Sequence, residues 1–112
     1  MRKIERQMLG AINTPGKDWR NNNTSVSWSD DHQFVEVRLH GHIIASVNWR
    51  TNTMCINDCG WQTSTTKSRL NALLGDLTPG RAGISQRNYQ WFLDRGHKEH
   101  EMDSNTPYAL HI

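Results

Sequence analysis

The chain has 112 residues, of which 35% are hydrophobic and 21% are charged, so it is long enough for one domain with a modest core and too short for two. Its formal net charge of +2 is too weak to identify a nucleic-acid-binding protein by total charge. The sequence has no apolar run of about 18 residues, which excludes a membrane-spanning helix, and charges interrupt the N-terminal apolar residues where a signal peptide needs an unbroken run. We therefore expect a cytoplasmic protein without a membrane partner, whose cysteines Cys55 and Cys59 are free thiols.

The N-terminal segment has the spacing of an amphipathic helix, with an apolar face formed by Ile4, Met8, Ala11 and Ile12. The run Asn13-Thr14-Pro15-Gly16 ends this helix, because proline and glycine disfavour its continuation. Residues 17–23 have the composition of a turn. The alternation in residues 24–28 predicts a half-buried strand, and residues 29–32 predict a hairpin turn.

The stretch from Val35 to Trp49 alternates regularly, but Gly41 lies in its middle. A two-residue turn there would place the apolar side chains before and after it on opposite faces of the sheet. A three-residue loop, His40-Gly41-His42, or one long strand bent by a bulge at Gly41 would keep them on one face. Of these alternatives we favour the bent strand.

The second half opens with a polar turn at residues 50–53 and a short strand at 54–58. A helix follows, because an apolar stripe with helical spacing is formed by Leu70, Leu73, Leu74 and Leu77. Either Thr65 or Thr66 is expected to cap its N-terminus and Gly75 to close it. Residues 84–93 have the aromatic content of a last strand or strand pair. Residues 95–112 predict a polar tail that folds only against a partner.

These elements predict an α+β fold, with a single domain at residues 1–94 and the tail at 95–112. An antiparallel sheet of four to six strands is expected to be covered on one face by the main helix, at 66–75, with the short N-terminal helix packed at its edge. The predicted sheet has unprotected edges, so a dimer formed through an edge strand is an alternative to a monomer.

Four stretches between residues 2 and 93 carry a resemblance to a known group of proteins, namely Leu39-His40-Gly41, Gly60-Trp61, Thr65-Thr66-Lys67-Ser68-Arg69-Leu70 and the run from Gln86 to Phe92. In these stretches the chain resembles small accessory proteins of tailed bacteriophages, especially T7-like ones. The resemblance implies a viral setting in the cytoplasm of a bacterial host. It implies little about mechanism.

The start of the main helix carries positive charge, although the helix dipole favours acids there. A phosphate would explain this arrangement, because hydroxyls, free backbone N–H groups and cations are supplied together by Ser64, Thr65, Thr66, Lys67 and Arg69. The alternative is that Lys67 and Arg69 are ordinary solvated residues. A nucleotide-binding P-loop is excluded, because Trp61 and Thr66 stand where its glycines would be.

Aromatic and basic residues are interleaved at Trp19-Arg20, Trp49-Arg50 and Arg87 to Phe92. This combination is typical of proteins that bind single-stranded nucleic acid on a sheet. Among the five tryptophans we assign Trp28, Trp49 and Trp91 to the core, and we expect Trp19 and Trp61 at the surface. Arg50, Arg87 and Trp61 would then extend the phosphate site.

Metal binding and catalysis have weaker support. His40, His42, Cys55 and Cys59 are suitable zinc ligands, but HxH with CxxxC is not a standard pairing. A second group, for which a solvated tail is the favoured interpretation, consists of His97, His100, Glu101, Asp103 and His111. The sequence contains no GxSxG or HExxH motif. We therefore expect no enzymatic activity, no metal and no cofactor.

The preferred hypothesis is an accessory phage protein that binds nucleic-acid phosphates through the start of the main helix. Its main alternative is an inhibitor or modulator of a host protein, with Trp19, Trp61 and residues 89–92 as anchors. A metal protein or an unrecognised enzyme is the third choice.

Overall fold

The computed structural model describes residues 1–96 and 98–112. In chain order the described elements are α1 (Lys3–Ile12), β1 (Trp19–Asn21), β2 (Thr24–Trp28), β3 (Phe34–Leu39), β4 (His42–Asn48), β5 (Thr53–Ile56), α2 (Ser64–Leu77), β6 (Gly83–Arg87), β7 (Gln90–Asp94), β8 (Glu99–Glu101) and β9 (Tyr108–His111). The predicted α+β class is confirmed. Neither described helix is long and apolar enough to cross a membrane.

The larger sheet has six antiparallel strands in the order β1-β2-β3-β4-β5-β9, which agrees with the predicted four to six. Its alternating apolar side chains are buried on one face, as in Val26, Val35, Val37, Val47 and Met54. Both helices contact this sheet and each other, so that the core lies between them and the sheet. The opposite face carries half-buried small or polar side chains, among them Ser25, Ser27, Glu36, Ser46 and Cys55.

The hairpin of β3 and β4 differs from the predicted bent strand. Its turn has two residues, His40 and Gly41, both with positive φ, as a type I′ turn requires. A bulge makes this turn compatible with the buried face, because Arg38 pairs with Ile43 while Val37 pairs with Ala45. Ile44 is the extra residue, and it restores the parity that a plain two-residue turn would have broken. We call the end of the six-stranded sheet that carries this turn the hairpin end.

The boundaries of α2 also differ from the prediction. Thr63, rather than Thr65 or Thr66, is the N-cap, and its hydroxyl accepts a hydrogen bond from the Thr66 backbone N–H. Gly75 does not close the helix, which continues to Leu77. There the Thr78 hydroxyl donates to the Leu74 carbonyl and provides the closing contact.

The smaller sheet, β6-β7-β8, extends the predicted last strand pair by one strand. Trp91 and Leu93 of β7 are buried in the core. The edge of β6 is held by α2, because the Asn71 side chain accepts from the Ile84 N–H at 2.6 Å and donates to the Ile84 carbonyl at 3.0 Å. A side-chain amide thus replaces a neighbouring strand at this position.

Two segments predicted to lack regular structure contain strands. Residues 17–23 include β1, which pairs with β2 at the edge of the larger sheet. In the segment predicted as a polar tail, β8 extends the smaller sheet and β9 pairs with β5, while Met102 and Leu110 are buried. The two apolar side chains and the free edge of β5 explain why this polar segment folds onto the domain.

The tryptophans only partly follow the prediction. Trp91 is in the core, and Trp28 and Trp49 are half-buried against it. Trp61 is exposed as expected, with 59% of its surface accessible. Trp19, predicted at the surface, is instead half-buried beside the core, because it lies on β1 rather than in a loop.

Candidate functional site

A cavity of about 400 Å³ opens at the hairpin end of the larger sheet. It lies between the β3–β4 turn, the 57–63 segment and the first turn of α2, and its lining consists of Leu39, His40, His42, Ile44, Asp58, Cys59, Trp61, Thr63, Thr65 and Thr66. Leu39 and Ile44 are buried and give it an apolar floor. Three of the residues predicted to bind a ligand, Trp61, Thr65 and Thr66, are thereby brought together.

The 57–63 segment is held in place by the fully buried carboxylate of Asp58. Its Oδ1 atom accepts hydrogen bonds from the backbone N–H groups of Gly60 at 2.8 Å and Asn105 at 2.6 Å. Its Oδ2 atom accepts from the Gln62 side chain at 3.0 Å. These donors satisfy the buried carboxylate and fix the loop from both sides, so that the backbone around Trp61 is anchored.

Trp61 and His42 form an aromatic wall of the cavity. Their ring centroids are 6.4 Å apart, and the ring planes are inclined by 35°. His40 lies at the tip of the adjacent turn and is exposed. A flat ring that enters the cavity would therefore meet aromatic side chains above an apolar floor.

The first turn of α2 borders this cavity through Thr65 and Thr66, whereas Ser64 lies outside its lining. Thr63 caps the Thr66 N–H, and the Lys67 N–H donates to the Thr63 carbonyl at 3.0 Å. No acceptor for the backbone N–H groups of Ser64 and Thr65 is found in the described part of the chain. Such free N–H groups at a helix N-terminus attract anions.

Lys67 lies at the side of this helix start rather than in the lining of the cavity. It is half-buried, and its Nζ atom donates to the Gln86 side chain on β6 at 3.2 Å. A single neutral acceptor leaves the ammonium charge uncompensated. Lys67 can therefore add positive potential next to the cavity, and its predicted contact with phosphate stays a prediction.

Arg69 does not present its charge to the surface, contrary to the prediction. Only 3% of the residue is exposed, and its NH1 atom is 2.8 Å from Oε2 of Glu5. Its Nε atom donates to the Thr24 hydroxyl at 3.1 Å. Arg69 is directed inward because it is the sixth residue of α2, where it faces α1 and β2, so it cannot contact a phosphate outside.

The pKa of Glu5 reflects these neighbours. Burial alone would raise the pKa of this carboxyl, but hydrogen bonds from Ser68 and Arg69 outweigh burial and hold the pKa below its ordinary value. The carboxylate is thus charged at neutral pH and compensates Arg69. This ion pair explains why an arginine stands near the basic start of α2, and no bound ligand is needed to explain it.

Arg50 and Arg87 do not extend the cavity in the predicted way. Arg50 lies in the β4–β5 turn, separated from the hairpin end by the seven residues of β4, or roughly 20 Å. Arg87 lies 3.9 Å above the Phe92 ring and forms an ion pair with Glu99 at 2.5 Å. Its charge is already compensated on the smaller sheet.

The predicted zinc ligands are only partly brought together. His40, His42 and Cys59 line the cavity, whereas Cys55 lies on the opposite face of the larger sheet, beside Ser46. Residues 1–96 and 98–112 contain no group of three or more His, Cys, Asp or Glu that could hold a metal ion. The second predicted group includes His97 and so lies partly outside the described residues.

The Cys59 thiol is occupied by a backbone contact. It donates to the Ile43 carbonyl at 3.0 Å, and burial, with a smaller contribution from Asp58, raises its pKa. A raised pKa disfavours the thiolate that metal binding and nucleophilic attack require. The Cys59 thiol is therefore poorly suited to reactions that need a thiolate.

The place of His40 and His42 in this cavity could not be predicted from sequence. They are about 20 residues from Trp61 along the chain, and only the two-residue turn, which pairs His42 with Leu39, places these two side chains on one face. The positive-φ preference of Gly41 was the one available signal for such a turn.

Residues 1–109 match the family model described as Kyanoviridae Gp96 protein. The chain belongs to this family. It is therefore a bacteriophage protein, as the resemblance in the sequence implied, but the family is one of cyanophages rather than of T7-like phages. Searches of curated proteins and of solved structures gave no match.

Proposed function

We propose that this Kyanoviridae Gp96 family protein is an accessory protein that binds single-stranded nucleic acid in the cytoplasm of the infected bacterium. The observation that supports this most is the cavity that brings Trp61 and His42 together with Thr65 and Thr66 at the start of α2. An aromatic wall next to an anion-attracting helix end suits a base that is linked to a phosphate. The role proposed is binding without catalysis.

One nucleotide would occupy the cavity with its base against Trp61 and its phosphate at the helix start. Ser64 and Thr65 would donate backbone N–H groups to the phosphate, and Lys67 would add positive potential. The volume of about 400 Å³ is within the usual range for small-molecule sites. A single strand is favoured over a duplex because a paired base is not free to enter a cavity.

Fluorescence anisotropy with a labelled oligothymidylate tests this proposal. We expect Trp61→Ala to weaken binding by about tenfold, since stacking on an aromatic residue contributes roughly 1–3 kcal/mol per base. Trp61→Phe is expected to retain part of the affinity. Tyr89→Ala is the matched control, because Tyr89 is an exposed aromatic residue on the smaller sheet, and it should bind like the wild type.

Lys67→Gln tests the phosphate contact separately. It should weaken binding and flatten the dependence of affinity on salt concentration, because fewer counterions are released. Lys3→Gln removes an equal charge from the exposed start of α1 and provides the control. Equal affinities of wild type, Trp61→Ala and Lys67→Gln would contradict the proposal.

The alternative proposal, a modulator that binds a host protein, is favoured by one observation on the smaller sheet. Tyr89 is 94% exposed at the tip of the β6–β7 hairpin, and exposed tyrosines are frequent anchors in protein interfaces. Association with a partner that Tyr89→Ala abolishes and Trp61→Ala does not affect would favour this alternative. Dimerisation through an edge strand stays a prediction.

A further inference from the structure

Two arginines flank a serine on the outer face of the larger sheet, away from the helices. Ser25 of β2 pairs with Arg20 of β1 on one side and with Arg38 of β3 on the other. Cross-strand neighbours project their side chains from the same face. Because serine is short, it leaves an open space between the two guanidinium groups.

This space is a crevice of about 470 Å³ at the hairpin end. Besides the two arginines, its lining contains Asn22, Asn23, Thr24, Ser25, His40 and Gly41, and no carboxylate. Two like charges that face one crevice without an acid in its lining repel each other, and a bound anion would relieve this repulsion.

Most of the donor capacity of the two guanidinium groups is unused. Arg20 is exposed and forms no ion pair with any residue in the described ranges. Arg38 contacts Glu36 through one atom, NH2, at 3.2 Å, and about a third of its side chain is exposed. An arginine has five N–H donors in a fork that matches phosphate oxygens, so this single contact leaves donors available.

The crevice and the Trp61 cavity share one lining residue. His40 lines both of them, because it lies at the tip of the β3–β4 turn between the two faces of the sheet. A flexible strand held at Trp61 on one face could thus pass over His40 to the other face. A duplex is too stiff for such a path.

We propose that Arg20 and Arg38 form a second phosphate subsite for the same single strand, which crosses the β3–β4 turn over His40. This inference rests on the proposed function and adds the direction in which the strand leaves the cavity. It assigns a role to two residues outside the basic helix start. Phosphate contacts of this kind position a strand without reading its sequence.

The test compares a thymidine dinucleotide with an oligothymidylate of about 12 nucleotides, a length within the range that small single-strand-binding domains cover. The double variant Arg20→Gln/Arg38→Gln should bind the long oligonucleotide about tenfold more weakly than the wild type. Its salt dependence should be smaller by about 1.4 in slope, the value expected for two lost phosphate contacts. Its affinity for the dinucleotide should not change, because the dinucleotide fits at Trp61 alone.

Arg50→Gln/Arg81→Gln is the matched control. It removes the same charge from two exposed arginines, one at the opposite end of the sheet and the other beyond the C-terminus of α2. An equal loss of affinity in both double variants would overturn the subsite, since net charge alone would then explain the effect. Circular dichroism melting checks that both variants fold.

The outcomes separate the two proposals. If Trp61→Ala weakens binding and Arg20→Gln/Arg38→Gln does not, the second subsite is wrong and the Trp61 site stands. If only the arginine variant weakens binding, the arginines bind phosphate and the Trp61 site is wrong. If the wild type binds neither oligonucleotide, both proposals are overturned.

Discussion

Arg69 and Glu5 form a buried ion pair that joins α2 to α1, with 2.8 Å between Arg69 NH1 and Glu5 Oε2. Ser68 donates a further hydrogen bond to the same carboxylate oxygen at 2.5 Å. The pair lies 64 residues apart in sequence, so it fixes how the two helices pack on the larger sheet. Because Arg69 belongs to this pair, its substitution tests stability and not phosphate binding.

Removal of Arg69 should destabilise the protein strongly. Arg69→Met leaves the Glu5 carboxylate buried without its cation, which typically costs about 3–5 kcal/mol in the free energy of unfolding. Urea denaturation followed by circular dichroism measures this change. The double variant Glu5→Leu/Arg69→Met should recover most of the stability, because no buried charge remains. A single Arg69→Met variant as stable as the wild type would contradict the ion pair.

A second prediction concerns the pH dependence of stability. The pKa of Glu5 in the folded state is below its ordinary value of 4.5, so its contribution to stability is complete above about pH 4.5 and is lost as the pH falls through the folded-state pKa. Wild-type stability should therefore fall in this acidic range, and Glu5→Gln should show a shallower fall. An equal fall of the free energy of unfolding with pH in the wild type and in Glu5→Gln would contradict this prediction.

Two other carboxyls also contribute to the loss of stability at acidic pH. Both are present in the wild type and in Glu5→Gln. A hydrogen bond from Ser29 lowers the pKa of Asp31, and one from Arg87 lowers the pKa of Glu99. Both are intact in Glu5→Gln. The difference between the two pH profiles therefore isolates the Glu5 contribution.

Tyr89→Gly should stabilise the fold although it removes an aromatic side chain. Asn88 and Tyr89 form the two-residue β6–β7 turn with φ values of 50° and 65°, and Asn-Gly is the preferred sequence for a turn with two positive φ values. We expect a gain of about 0.5–1 kcal/mol in thermal or urea unfolding. Tyr89→Ala still places a non-glycine residue at positive φ and should therefore leave stability nearly unchanged. A loss of stability in Tyr89→Gly would show that the tyrosine ring makes a stabilising contact.

Asn71→Ala should loosen the attachment of the smaller sheet to α2. It removes both hydrogen bonds to the backbone of Ile84, and leaving these partly buried groups unpaired costs about 1–3 kcal/mol. Hydrogen exchange of the Ile84 amide should accelerate more than exchange within β3. Unchanged exchange at Ile84 would show that this amide is protected without Asn71.

Much of the fold could be predicted because its signals are local. The alternation in residues 24–28 predicts β2, and the leucine stripe from Leu70 to Leu77 predicts α2. Most of these apolar side chains are buried, while Trp28 and Leu77 are half-buried. The β3–β4 turn was harder, because a turn and a bulge compensate each other and leave the same parity as a straight strand. No local pattern predicts β9, because this strand depends on pairing with β5, far away in the sequence.

The candidate site was predictable only in part for the same reason. Trp61 and the hydroxyls at the start of α2 are close in sequence and lie together in the structure. His40 and His42 reach the cavity through tertiary structure, and no local pattern connects them with Trp61. The buried position of Arg69 could not be predicted, because its partner Glu5 lies on another helix and no sequence spacing connects the two residues.

The most direct test of nucleic-acid binding is a titration of the isotopically labelled protein with oligothymidylate, followed by NMR. If a nucleotide occupies the Trp61 cavity, the indole N–H signal of Trp61 and the backbone N–H signals of Ser64 and Thr65 should shift, while the N–H signals of the buried Trp91 should not. Shifts confined to Tyr89 and its hairpin, or no shift at low salt, would show that this cavity does not bind nucleic acid.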